Sequence, residues 1–420
     1  MQLAGRNGWR TNRPHALRRC EQDFQSYRSY SRERFKKMGS LRYYLVTLIA
    51  GAAAAGLWLG GGWVWLGIAT FPVLMALDIA LPADHKVRNV RVPVLAEIPL
   101  YLHLPLLLGL WTLFGLRLGN WVGSGVPTLP GGPVTGWQVV GMVLSVGWIG
   151  AVPNLPIAHE LMHRRQLLPR AVAKVYSTVY LDPNRDVGHK LTHHLDLCTP
   201  ADSDTPRRGQ TIYAFMWQAS YGAWKDGVVT SVNSLRKRDY SIFHPKNAVY
   251  IEIGLLALLA VLMYLAAGLI GVGVAAVAMV FSKLLVEGFN YLQHYGLVRV
   301  PGTPIRLHHA WNHLGAIIRP LGVEITNHIE HHFDSKHKFF ELKPRTDGAQ
   351  MPSAFLCFVC ALVPPVWEKA IAKPRLEHWD NNFATPAEKE LAMASNRKVG
   401  WAEWAGDDSS AGIRPQAAAS

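Results

Sequence analysis

Cysteine, acidic side chains and phosphate-binding loops are all scarce in this chain. Four of its 420 residues are cysteine, and Cys20 and Cys198 stand alone. Cys357 and Cys360 make one C-x-x-C inside the apolar stretch FLCFVCALVPP, with no second pair elsewhere. A zinc or redox role is the lesser reading of this lone pair; the two cysteines read better as small buried hydrophobes on a helix lying in or against a membrane surface. GVG at 271–273 falls inside an apolar run, which makes it helix packing and not a nucleotide loop. Asp and Glu number 29 against 43 Lys and Arg, a net charge of +14. Half of that excess, +7, sits in residues 1–37, where ten basic residues face three acidic ones. No folded reader of nucleic acid accompanies the charge, so the arm reads as disordered or lipid-binding. It has no apolar core before residue 41, and so lacks the form of a secretory signal. Met38 opens MGSLRYYLV, which looks like a natural beginning.

Long apolar runs, by contrast, are plentiful. A membrane-crossing helix needs about 20 mostly apolar residues, and six stretches meet or approach that: 43–59, 63–82, 93–116, 134–158, 247–269 and 271–289. The fold class expected is an all-α integral membrane protein with about six spans and a helical cap. Residues 1–37 form its arm, 38–405 the membrane domain, and 406–420 a disordered tail. Lys and Arg collect on the cytoplasmic side of a membrane. The basic arm, Lys86, Arg88 and Arg91, and the HRR at 163–165 therefore lie inside, while the uncharged 119–132 lies outside. Residues 209–240, rich in aromatics and ending in Arg236-Lys237-Arg238, read as a cytoplasmic surface helix.

Nine of the 18 histidines fall in four boxes: HELMHR at 159–164, GHKLTHH at 188–194, NYLQHYG at 290–296 and NHIEHH at 327–332. The topology puts all four on the cytoplasmic face. Neutral imidazole is the commonest protein ligand for transition metals, and nine ligands are too many for one ion and suit two. His159 and His163 are four apart and share a helix face, a pattern that His189 and His193 repeat. HExxH alone would suit a zinc protease with Glu160 as base, but such a site needs only three ligands. An all-nitrogen set able to do redox chemistry favours iron over zinc. Neutral ligands leave the ions' charge uncompensated, so Glu160, Asp186, Glu287 and Glu330 are candidates for orienting the imidazoles; surface ion pairing is the plainer reading of Asp186 and Glu330. His308, His309 and His313 in LHHAWNH either extend the site or hydrogen-bond to it. His103 and Asp78, polar and within spans, are functional suspects. A metal transporter is a rival reading, but the histidines cluster at one face and no internal repeat is visible.

HELMHR, HKLTHH, NYLQHYGL and HIEHH together resemble the integral-membrane alkane hydroxylase and xylene monooxygenase family, within the fatty acid desaturase-like superfamily. Phrases such as DPNRDVGHKLTHHLDLCTPADSDTPRRGQTIY and LHHAWNHLGAIIRPLGVEITNHIEHH narrow this to the membrane hydroxylase components of toluene/xylene methyl-monooxygenases. The resemblance runs from about residue 38 to about residue 404 and departs at Lys190, which lies between ligand positions. It implies that His159, His163, His189, His193, His194, His294, His328, His331 and His332 bind two Fe ions. It further implies O2-dependent hydroxylation of an aromatic methyl group in a bacterial-type inner membrane. Electrons would come from a separate NADH-dependent ferredoxin-type reductase carrying flavin and a [2Fe–2S] centre, for which this chain has no site. The small apolar substrate would arrive through the bilayer. Terminal alkane or cymene hydroxylation is the alternative within the family, and lipid desaturation a more remote one.

Overall fold

A computed structural model of the chain describes residues 39–404 apart from 89, 334–336, 402 and 403. The basic arm and the tail expected at the two ends lie outside those residues. Among the described residues the structure is helical with no β-strand; Asn312 and Gln350 make an isolated bridge. The elements that position the site are α1 (Leu45–Leu59), α2 (Leu66–Ala80), α3 (Pro93–Val122), α4 (Gly136–Ala151), α5 (Asn154–Met162), α6 (Leu167–Thr178), α7 (Arg185–Gly188), α8 (Ile212–Arg236), α9 (Ala248–His294), α10 (His328–Phe333), α11 (Ala354–Ala361), α12 (Lys373–Asn382) and α13 (Pro386–Lys398).

Five helical stretches are long and apolar enough to cross a membrane: Gly39–Leu59, Gly61–Ala80, Pro93–Val122, Gly136–Met162 and Ala248–His294. The protein is therefore a membrane protein, with one difference from the six runs in the sequence. The last two runs are joined in the 47-residue α9, which breaks at Ala267 and Gly268. Gly268 takes φ +62°, a conformation open to glycine without strain, and so the helix turns there instead of stopping. Lipid-side residues such as Leu265 and Leu269 stay exposed around the break.

The bundle is stitched at one end by Arg117 of α3. Its guanidinium donates to the carbonyls of Leu57 (2.7 Å), Trp58 (2.7 Å) and Pro130 (2.6 Å). Terminal helix carbonyls have no partner within their own helix, so a buried cation there satisfies them and the helix dipole together. At the other end α4 passes through Val152 and Pro153 into α5, carrying the first histidine box directly off a span. The aromatic segment 212–236 forms the expected helix α8, with Trp217 and Tyr221 exposed.

The C-terminal segment covers the histidine boxes. Arg208, just after the second box, makes a two-pronged pair with Asp380 of α12 at 2.6 and 2.7 Å and also donates to Asn396 of α13 at 3.0 Å. Both partners of the ion pair are buried. Asp78 serves the fold in the same way: its carboxylate accepts from the backbone of Ile317 and Ile318 and from Ser353.

Candidate metal centre

All nine histidines of the four boxes converge. Their ring nitrogens form two groups, His159, His163, His189, His194 and His331 in one, and His193, His294, His328 and His332 in the other. Within each group the candidate ligand atoms lie within 4.8 Å of one another. The groups adjoin: the rings of His189 and His193 stack at 4.9 Å, and those of His194 and His332 lie 4.6 Å apart. Only His163 and His194 are half-buried; the other seven are buried.

Local helix geometry sorts the boxes. His159 on α5 and His163 at its C-cap, and His328 and His332 on α10, are spaced by four and each pair serves one group. In the second box the sequence pattern pairs His189 with His193, and the structure departs from it. Residues 189–193 are wound as a π-helix, whose hydrogen bonds run from residue i to i+5 and whose turn is wider than an α-helix's. His189 shares its group with His194, while His193, stacked on His189, belongs to the other.

Oxygen acceptors fix three rings of the four-histidine group. His193 Nδ1 donates to Asp202 Oδ2 at 2.9 Å, His294 Nδ1 to the His309 carbonyl at 3.3 Å, and His328 Nδ1 to the Ile325 carbonyl at 3.1 Å. Each contact selects the tautomer that leaves Nε2 bare toward the centre. Inside, His328 Nε2 lies 2.8 Å from His294 Nε2 and 3.0 Å from His332 Nε2, and His159 Nε2 lies 3.0 Å from His189 Nε2. Burial holds His189, His328, His331 and His332 well below the ordinary histidine range, and neighbouring imidazoles add to the effect. For His193 burial acts in the same direction, but the Asp202 carboxylate outweighs it and raises the pKa. Neutral rings are the form that binds metal.

The donor set fits two transition-metal ions. Metal–imidazole bonds of about 2.0–2.1 Å place adjacent ligand nitrogens roughly 3 Å apart, the separation found here. The buried Nε2 of His331 has no hydrogen-bond partner, and leaving such an atom unpaired costs about 1–3 kcal/mol unless something binds it. Carboxylates close by supply the opposite charge. Arg185 and Lys283 are enclosed by Asp182, Asp204 and Glu287, with Arg185 to Glu287 at 2.9 Å and Lys283 to Asp182 at 2.9 Å. With Asp202 that makes four acids against two bases, an excess of the sign that cations require.

A fatty acid desaturase family model matches residues 135–361, the stretch that holds all nine histidines. The xylene/toluene monooxygenase hydroxylase component of Pseudomonas putida is 49% identical over 370 residues, covering 87% of this chain and 97% of that protein. The chain belongs to the fatty acid desaturase family, among its membrane xylene and alkane monooxygenases. Alkane 1-monooxygenase 1 of Pseudomonas aeruginosa is 30% identical over 61% of this chain and 69% of its own length. Alkane 1-monooxygenase 2 of Alcanivorax borkumensis is 24% identical over 82% and 92%.

In this monooxygenase the four carboxylates expected to orient imidazoles are engaged elsewhere. Glu160 pairs with Arg164 at 2.6 Å, Asp186 with Lys174 at 2.7 Å, Glu287 with Arg185 and Lys283, and Glu330 with Arg345. Each has a base within reach along the chain or across the core, and the ion pair wins over a neutral ring. The imidazole-holding role falls to Asp202 and to two backbone carbonyls. Asp202 lies nine residues past His193 in ADSDTP, so nearness to the box was its only signal; carbonyl acceptors leave none. His308 and His309 join neither group and instead grip Glu388 of α13 at 3.1 and 2.8 Å. Burial opposes ionisation of Glu388, yet the two histidines hold its carboxyl far below the carboxylate range. His313 donates to the Pro352 carbonyl, and His103 packs edge-on against Tyr176 at 5.3 Å.

Against the two groups lies a buried chamber whose wall is mostly apolar. His159, His189 and His328 form its metal side, and Val152, Leu155, Phe289, Ile318 and Ile325 form much of the remainder.

Proposed function

We propose that the protein is the hydroxylase component of an O2-dependent monooxygenase that converts the methyl group of toluene- or xylene-type alkylbenzenes to a benzyl alcohol. What carries this reading is one juxtaposition: nine convergent imidazoles against an apolar chamber, in a chain 49% identical to a xylene/toluene hydroxylase component. His159, His163, His189, His194 and His331 would hold one iron and His193, His294, His328 and His332 the other. When bound, the irons supply dioxygen activation and insertion of one oxygen atom into a C–H bond, the second atom leaving as water. The chain supplies what the metals cannot. Val152, Leu155, Phe289 and Ile325 exclude water from the reacting carbon, and the fixed tautomers of His193, His294 and His328 hold the ligand nitrogens in place. Two electrons per turnover come from a separate NADH-dependent ferredoxin-type reductase on the cytoplasmic side of a bacterial inner membrane. That orientation rests on the basic loops at Lys86–Arg91 and at His163–Arg165.

The deciding experiment is product analysis under 18O2 in cells that produce the chain with such a reductase, offering toluene, p-xylene, p-cymene and octane side by side. Benzyl alcohols carrying one labelled oxygen are expected. Octanol as the sole product would move the protein to the alkane hydroxylases, and an unlabelled alkene would make it a desaturase.

A further inference from the structure

A second cavity lies on the apolar side of the chamber. It is a groove of ≈ 630 Å³ against ≈ 60 Å³ for the chamber, with almost no polar lining. Three helices run along both. On α4, Trp148 faces the groove and Ala151, with Val152 just past the helix, the chamber; on α9, Phe281 and Leu285 face the groove and Val286 and Phe289 the chamber. On α11, Phe358 faces the groove and Ala354 the chamber. What separates the cavities is a wall of aromatic rings. Phe289 and Phe358 stack at 4.8 Å with their planes 5° apart, and Phe355 meets Phe289 edge-on at 6.1 Å. Trp148 and Phe71 close the groove side against Phe355, at 6.3 and 5.7 Å.

Phe289 lines the chamber and Phe358 the groove, and the two rings meet face to face where the cavities come closest. The groove's outer rim includes Tyr213 and Trp217, both exposed, and amphipathic rings of this kind sit at the lipid headgroup level. An apolar solute dissolved in the bilayer would meet the groove first.

Resting on the hydroxylase reading above, we propose that this groove is an antechamber for a lipid-dissolved aromatic hydrocarbon, and that the Phe289–Phe358 pair is the door through which one ring passes to the metal chamber. Flat aromatic walls suit an aromatic guest by offset or edge-on packing. Gly288 makes the closed door possible: a Cβ there would come 2.7 Å from Cε2 of Phe358 and 2.8 Å from the Met216 methyl. Phe358 is a positioning and selectivity residue in this scheme, since it touches the path and none of the metal groups.

Photolabelling of the full chain in lipid nanodiscs with 3-trifluoromethyl-3-phenyldiazirine, a toluene-sized carbene source, tests this without requiring turnover. In the parent protein, label is expected on groove residues such as Phe281 and on chamber residues such as Phe289 and Asn290, with p-xylene competing at both. Phe358→Trp should lower chamber labelling by about ten-fold, the scale at which a filled apolar pocket rejects a guest, and leave groove labelling unchanged. Gly288→Ala, which presses on the same ring, is the second variant should the first not fold, and should shift the ratio of chamber to groove label. Leu269→Ala, on the exposed outer surface, is the control. Equal chamber labelling in parent and both variants overturns the door, as does a parent labelled in the groove alone. Toluene turnover is measured on the same samples. Turnover with unchanged labelling refutes the door and keeps the hydroxylase reading; normal door behaviour with no alkylbenzene oxidised does the reverse.

Discussion

The two histidine groups differ in how they are held. In the group of four every ring is buried and three have their outer nitrogen on a fixed oxygen, from Asp202, His309 and Ile325. The group of five contains both half-buried rings and the buried His331 Nε2 that no protein atom satisfies. His332 Nδ1 in the group of four is likewise without a partner, so the contrast lies in the three oxygen-held rings, which the fold itself sets. The chamber touches two rings of the five and one of the four, His159 and His189 against His328. We read this as a division between a rigid anchor and a more adaptable face.

Removing one ligand from each group should break the comparison most strongly. His328→Ala takes one of four and should leave about one iron per chain, with oxygenation lost by three orders of magnitude or more, as for residues acting as a unit. His331→Ala takes one of five and should retain more iron than His328→Ala while losing turnover. Iron assay and product formation on the same membranes check both, and equal iron loss in the two variants contradicts the division.

The anchor can also be attacked from its support. Arg208→Ala leaves Asp380 buried without its cation, a change expected to destabilise the folded protein by about 3–5 kcal/mol and measured by thermal unfolding in detergent. A milder change is Asp202→Asn, which removes the charge on the His193 tautomer. Metal affinity should fall by about 10–100-fold at one site only, seen as a biphasic chelator titration, with Ser203→Ala as a neighbouring control. A uniform loss at both sites contradicts an anchor confined to one group.

The smallest expected effect concerns Asp84, which lies away from the boxes. Burial opposes its ionisation, but hydrogen bonds and charge from Arg88, Arg42 and Arg319 bring it down to about 2. A carboxylate with a depressed folded pKa stabilises above its unfolded value and ceases to do so as pH falls toward the folded one. The unfolding temperature should therefore drop between about pH 4 and pH 2, and less steeply in Asp84→Asn.

Much of this was legible in the residues. The boxes name all nine convergent histidines because imidazole is a preferred transition-metal ligand and local spacing is fixed by the helix. The spans were legible because lipid demands long apolar helices. The partition of the second box was not, since a π-turn at His189–His193 leaves no mark on hydrophobic pattern. Nor were the ring-holding acceptors: proximity in sequence nominated Glu160 and Asp186, but Arg164 and Lys174 pair with them at 2.6 and 2.7 Å. Glu388 reaches His308 and His309 across about 80 positions, and no local signal could have paired them.

Iron-edge X-ray absorption combined with iron and protein assay on the purified, active chain tests the two-iron, all-imidazole centre most directly. Two irons per chain, with nitrogen neighbours in histidine geometry and no sulfur, are expected. One iron per active chain, or sulfur scattering from Cys198 or Cys357, would contradict it.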